Sequence, residues 1–127
     1  VIFGIGTDIV QHQRVERIWE QYGTAFARRI LLDAEYALFD GHKRPVRFLA
    51  MRFAAKEAIV KAMGTGFAHG MWVRDVGTVP DSRGQPQIIF SERGRRKCEE
   101  MGIAGGHLSL TDEAGLVMAF AVLMKAP

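Results

Sequence analysis

The spacing of apolar and polar positions changes several times along the chain, and each change marks an element. Residues Ile2–Val10 alternate loosely and are rich in β-branched types, which predicts a strand. One face would carry Phe3, Ile5, Thr7 and Ile9, the other Ile2, Gly4, Gly6, Asp8 and Val10. Between Gln13 and Tyr22, the positions Val15, Ile18, Trp19 and Tyr22 fall at helical spacing, and Gly23 ends the helix. A further helix is expected over Thr24–Ile30, and a short one from Asp33, a candidate N-cap. Pro45 stands where a long helix can start, and the pattern runs to Met63 before Gly64-Thr65-Gly66 stops it. Strands are expected at Val73–Val79 and Gln87–Phe90, joined by the turn-rich Asp81-Ser82-Arg83-Gly84. Ser91 then caps a helix reaching Met101. A hairpin of His107–Thr111 and Leu116–Met124, turning at Asp112-Glu113-Ala114-Gly115, closes the pattern. Strands and helices mix without βαβ alternation. This predicts an α+β fold in which residues 1–127 form a single domain, a small antiparallel sheet packed against one long central helix and shorter helices.

Composition narrows the class. Of 127 residues, 48% are hydrophobic and 24% charged, which suits a packed core and argues against a disordered chain. The single cysteine, Cys98, excludes an internal disulfide framework and a cysteine-built zinc cage, and no activating neighbour marks it as reactive. No apolar run approaches the ~18–20 residues of a membrane span. Val1-Ile2-Phe3 has neither the basic region nor the cleavage site of a secretion signal. The expected setting is therefore cytoplasmic, without membrane contact.

The net charge of +3 is modest, but its distribution is uneven. Between Lys43 and Lys61 stand Lys43, Arg44, Arg47, Arg52, Lys56 and Lys61, against one acid, Glu57. That imbalance favours an anionic partner. Arg14, Arg17, Arg28 and Arg29 form a second set, whereas Arg93, Arg95, Arg96 and Lys97 are followed by Glu99 and Glu100 and read as a solvated helix face. Lys56, one step round the long helix from Glu57, reads as a surface charge. His12, His42 and His69 read as loop or surface residues, and Met51, Met63, Met118 and Met124 as core filler.

Two acids do not fit their surroundings. At ~100° per residue from Phe53, Glu57 falls at about +40°, inside the apolar stripe of Val60, Val46 and Leu49, with Lys61 one turn beyond. Asp8 sits between Thr7 and Ile9 in a strand of apolar residues. A carboxylate so placed is costly unless it pairs, hydrogen-bonds or holds a cation. Glu57 and Lys61 could form a plain helix pair, and Asp8 could cap the next helix. Magnesium, held by one or two carboxylates plus phosphate oxygens, would explain both acids and the basic belt together. On the residues alone, a nucleic-acid-binding module and another magnesium-dependent phosphoesterase also remain, although no nucleic-acid-binding signature is present.

Gly4-Ile5-Gly6-Thr7-Asp8-Ile9-Val10, followed by Phe53-Ala54-Ala55-Lys56-Glu57-Ala58-Ile59-Val60-Lys61-Ala62 with Gly64 and Gly66, resembles the paired signatures of the holo-[acyl-carrier-protein] synthases of the 4′-phosphopantetheinyl transferase superfamily. The likeness extends to the Gly84-Gln85-Pro86 turn and the strand His107-Leu108-Ser109-Leu110-Thr111. It implies transfer of phosphopantetheine from coenzyme A to a serine of apo acyl carrier protein, in support of fatty acid biosynthesis. Asp8 and Glu57 match the family's magnesium ligands; attack by a serine also needs a base, a role open to Glu57, through a metal-bound water, or to Lys61. Lys61 also matches the phosphate-contacting lysine. Lys43, Arg44 and Arg52 match basic positions for the nucleotide phosphates, with Gly64, Gly84, Pro86, His107 and Thr111 as further coenzyme A contacts. Arg14, Arg17, Ile18, Phe26 and Arg28 match the docking surface for the acidic carrier protein, beside Trp19 and Arg29. The chain departs from many relatives at Asp112, where they carry a histidine. The resemblance also implies a homotrimer in which Asp8 and Glu57 of one chain face His107 and Thr111 of the next.

Overall fold

The long helix α4, Pro45–Met63, organises the fold. Proline supplies its first turn, and Gly64 ends it at φ +83°, where its N–H donates to the Val60 and Lys61 carbonyls at 3.1 and 3.0 Å. Five alanines (Ala50, Ala54, Ala55, Ala58 and Ala62) are buried along it, so neighbouring elements pack close to its backbone on nearly all sides.

In this computed structural model, which describes Val1–Pro127, the strands form two separate antiparallel sheets around α4. Strands β1 (Ile2–Gln11), β4 (Ile103–Glu113) and β5 (Leu116–Lys125) lie in the order β1-β5-β4. Strands β2 (Val76–Pro80) and β3 (Pro86–Phe90) form a hairpin. Its turn is closed by Asp81, whose carboxylate accepts from the Arg83 and Gln85 amides at 2.8 and 2.9 Å. Helices α1 (His12–Tyr22), α2 (Thr24–Ile30), α3 (Asp33–Phe39) and α5 (Glu92–Met101) complete the α+β domain. None of the helices is long and apolar enough to cross a membrane.

Strand β1 lies directly on α4 because it carries glycine where the two meet. A Cβ on Gly6 would stand 2.7 Å from the Ala62 amide nitrogen and closer still to the Ala58 carbonyl, and one on Gly4 would strike the Ala62 carbonyl. Gly6, Asp8 and Val10 thereby face the helix while Ile5, Thr7 and Ile9 face outward. The alternation expected from sequence is correct, and the aliphatic face is the exposed one.

Several expectations need correction. Met118 is exposed on the outer face of the sheet, so it is not core filler, whereas Met63 is buried. Asp33 is the first helical residue of α3 and not its cap; Leu32 holds that position, and its amide is bonded by Glu35. Val73–Asp75 forms a 3-10 turn ahead of β2, held by the Asp75 carboxylate, which accepts from the Trp72 amide at 2.8 Å. Strand β4 begins four residues earlier than His107.

Candidate active site

Asp8 and Glu57 open into one cleft of about 320 Å³, walled by Val10, Val15, Ile18, Phe26 and Phe53 with Arg14 at its edge. Burial and the charge of Asp8 both push the Glu57 carboxyl above its ordinary value, and Lys61 pulls it back. The Lys61 ammonium donates to Asp8 Oδ1 at 3.1 Å and to the Thr7 carbonyl at 3.0 Å. Lys61 therefore bonds across to the strand rather than forming a simple helix pair with Glu57. Asp8 caps no helix: the residue preceding α1 is Gln11. Two acids forced together beside one cation leave unbalanced negative charge, and their hard oxygens suit magnesium, which needs only one or two protein carboxylates. No cluster of three or more His, Cys, Asp or Glu side chains is placed to share a metal ion.

A second cleft, of about 250 Å³, lies beneath the β2–β3 hairpin and is lined by Arg52, Thr78, Gly84 and Pro86 with Met51, Pro80 and Leu110. Three of the expected nucleotide contacts, Arg52, Gly84 and Pro86, thus meet here. The Arg52 guanidinium stacks 4.0 Å from the centre of the Phe48 ring, and its Nε and the Thr78 hydroxyl are buried without a hydrogen-bond partner. Lys43 and Arg44 are exposed in the loop before α4, and Gly64 is exposed at its far end. His107 and Thr111 are exposed on the outer face of β4, opposite Val122 and Met118 of β5. Asp112 is engaged by Arg47 through two bonds of 2.9 and 3.2 Å, and these hold its carboxyl below the ordinary range.

The two clefts lie on different sides of α4. Arg52 and Glu57 are five residues apart, about 140° around the helix. Neither cleft brings Asp8 and Glu57 to Arg52, His107 and Thr111.

The candidate docking residues gather on α1 and α2. Ile18 and Phe26 line both the acid cleft and an adjoining apolar groove with Tyr22, Ala25, Arg29 and Ile30. Arg17 is exposed, and Arg28 lies 4.6 Å over the Tyr36 ring. Trp19 turns inward and packs edge-on against Phe39, at 5.7 Å between ring centres.

Lys56 is no surface charge: it is fully buried, its Nζ donating to Glu35 Oε1 and to the Val76 carbonyl, both at 2.6 Å. Burial presses its pKa down while Glu35 raises it. The only advance signal of Glu35, also fully buried, was its place in the first turn of a short helix. Cys98 is buried in α5, and burial pushes its thiol up to about 11, which leaves it unreactive near neutral pH.

The family model of the 4′-phosphopantetheinyl transferase superfamily matches residues 4–121. The chain belongs to that superfamily. A holo-[acyl-carrier-protein] synthase of Nitrosospira multiformis is 42% identical over 98% of this chain and 100% of its own length. The crystal structure of the holo-[acyl-carrier-protein] synthase of Neisseria meningitidis superposes with a TM-score of 0.93 at 42% identity, covering 98% of this chain and 100% of that one. The Helicobacter pylori holo-[acyl-carrier-protein] synthase in complex with coenzyme A is similar at TM-score 0.82 and 27% identity, covering 94% and 99%. Likeness over nearly the whole length places this phosphopantetheinyl transferase among the holo-[acyl-carrier-protein] synthases, as an enzyme.

Proposed function

We propose that the enzyme transfers 4′-phosphopantetheine from coenzyme A to a serine of apo acyl carrier protein, with magnesium, in the cytoplasm and in support of fatty acid biosynthesis. The observation that carries this reading is the shared cleft of Asp8 and Glu57, bridged to the strand by Lys61. Asp8 and Glu57 would hold magnesium, which supplies Lewis-acid charge to pyrophosphate oxygens when bound.

The serine oxygen forms a bond to the β-phosphorus of coenzyme A as the bridging P–O bond breaks, and adenosine 3′,5′-bisphosphate leaves. Charge builds on the phosphoryl oxygens, so positioned cations matter more than a covalent nucleophile. Lys61, half-exposed, is held to Thr7 and Asp8 and can donate to those oxygens. With Lys61 serving as donor, the serine proton would go to Glu57 through a water, since Glu57 itself would be a magnesium ligand. Arg52, Gly84 and Pro86 would receive the nucleotide, with Lys43, Arg44 and Gly64 around the phosphates. Arg14, Arg17, Ile18, Phe26 and Arg28 would seat the acidic carrier protein beside the acid cleft.

Because the two clefts diverge by about 140° on one helix, the reading requires a second copy to complete each site. The outer face of the β1-β5-β4 sheet supports this. Ile5, Ile9, Met118 and Phe120 are all at least 39% exposed there, next to His107 and Thr111. A homotrimer would bury this apolar face and set His107 and Thr111 of one chain against Asp8 and Glu57 of the next.

The test is intact mass spectrometry of apo acyl carrier protein incubated with coenzyme A. The expected result is a gain of one phosphopantetheine group with magnesium and none with excess chelator. No gain under either condition overturns the assignment, and near-normal turnover by Glu57→Gln removes Glu57 as base.

A further inference from the structure

Three charges meet behind the β2–β3 hairpin: fully buried Glu35 on α3 and Lys56 on α4, and partly buried Arg52 one turn before Lys56. Glu35 Oε1 accepts from Lys56 at 2.6 Å and from the Leu32 amide at 3.0 Å, and Oε2 accepts from the Thr78 amide at 3.0 Å. Lys56 also holds the Val76 carbonyl, so the pair grips β2 at two neighbouring points. Gly77 between them is obligatory: a Cβ there would lie 2.6 Å from the Glu35 carboxylate.

Arg52 stands 3.9 Å from Glu35 Oε2, too far for a hydrogen bond, although its side chain is only 13% exposed. An arginine so close to a buried carboxylate ordinarily closes on it in a two-pronged pair. Here Lys56 already neutralises the carboxylate from Oε1, which also accepts the Leu32 amide, while Oε2 accepts the Thr78 amide and Arg52 stays out of bonding distance. One carboxylate faces two cations, which leaves a surplus positive charge on the one that borders the cleft. Beside it, the unpartnered Thr78 hydroxyl lines the same cleft.

We infer that the buried Glu35–Lys56 pair is a positioning device: by occupying Glu35, Lys56 keeps Arg52 free to hold an anion in the cleft beneath the hairpin. The inference rests on the reading of that cleft as the nucleotide site of coenzyme A. Lys56 and Glu35 touch no substrate and act only through Arg52 and Thr78.

The test compares the parent with Arg52→Met, Lys56→Met and the double variant Glu35→Gln/Lys56→Met. KM for coenzyme A and kcat are measured on protein shown by circular dichroism to be folded. In Lys56→Met the freed carboxylate captures Arg52, so KM should rise about tenfold while kcat stays within about twofold, the pattern of lost uniform binding. The double variant has no carboxylate to capture Arg52, and its KM should return to within about threefold of the parent. Should Lys56→Met fail to fold, Lys56→Gln replaces it, since its amide still donates toward Val76 and its charge is gone. A double variant no better than the single, or a fall in kcat at constant KM, overturns the positioning role. Arg52→Met with unchanged KM overturns the nucleotide reading as well. A raised KM in Arg52→Met with none in Lys56→Met overturns the positioning role alone.

Discussion

Adding one methyl group at Gly6 should separate the strand that carries Asp8 from the helix that carries Glu57 and Lys61. Backbone strain plays no part, because Gly6 does not occupy the left-handed region. Space alone decides. The new Cβ would lie 2.7 Å from the Ala62 nitrogen and nearer to the Ala58 carbonyl, both of them helix backbone that no side-chain rotation relieves. Restoring contact at ~3.5 Å moves β1 outward by about 1 Å. Such overpacking costs about 2–3 kcal/mol, against a gain of roughly 0.4–1 kcal/mol from a stiffer unfolded chain. The net loss should lower Tm by roughly 5–10 °C in a domain of this size. Activity should suffer more than stability, because the 3.1 Å bond between Lys61 and Asp8 breaks and the carboxylates separate. A displacement of about 1 Å in a reacting constellation costs on the order of 10²-fold in rate. Gly6→Ala would be followed by thermal melting and by intact-mass turnover at saturating coenzyme A. A variant with parental Tm and a rate within about twofold would show that β1 and α4 need not touch for the reaction, and the close-contact reasoning would be wrong.

Two more perturbations probe other parts of the molecule. Asp75 is buried, which pushes its carboxyl up, but the bonds from Arg93, Ser91 and the Trp72 amide outweigh burial and hold it below 3.8. A lowered folded-state value contributes stability above the unfolded value and loses it as pH falls through the folded one. The Tm gap between parent and Asp75→Asn should therefore stay constant near neutrality and close below about pH 4; a gap independent of pH refutes the claim. On the outer sheet face, Phe120→Glu would bury a charge in the proposed trimer interface, so sedimentation should show the mass of three parental chains falling to that of one. Retention of the parental mass would place the interface elsewhere.

What could be read from the chain, and what could not, follows from the range of the forces involved. Pro45 and Gly64 bound α4 correctly because proline and a left-handed glycine act within a single turn. Asp8 and Glu57 stood out because each is an acid on a face that packs inward, and both do meet one cleft. Lys56 was misread because α4 is buried nearly all round, so no single apolar stripe separates inside from outside. Its partner lies 21 residues away on a different helix, and nothing local in the sequence records that pairing. Val73–Asp75 likewise looked like strand, but Asp75 bonds back to Trp72 and curls the backbone into a 3-10 turn. The outward face of β1 was identifiable as a face, whereas its exposure follows from the glycines opposite, which alone let the strand rest on α4.

The divergence of the two clefts around α4 has a genetic consequence. If each reaction centre is assembled at a junction between neighbours, a chain damaged at Glu57 and a chain damaged at Arg52 are not equivalent losses. Co-assembled in equal amounts, roughly a quarter of the junctions in a closed ring would pair the sound acid half of one with the sound basic half of the other. The two impaired alleles would then complement each other in the same cell, whereas neither would be helped by a further copy of itself.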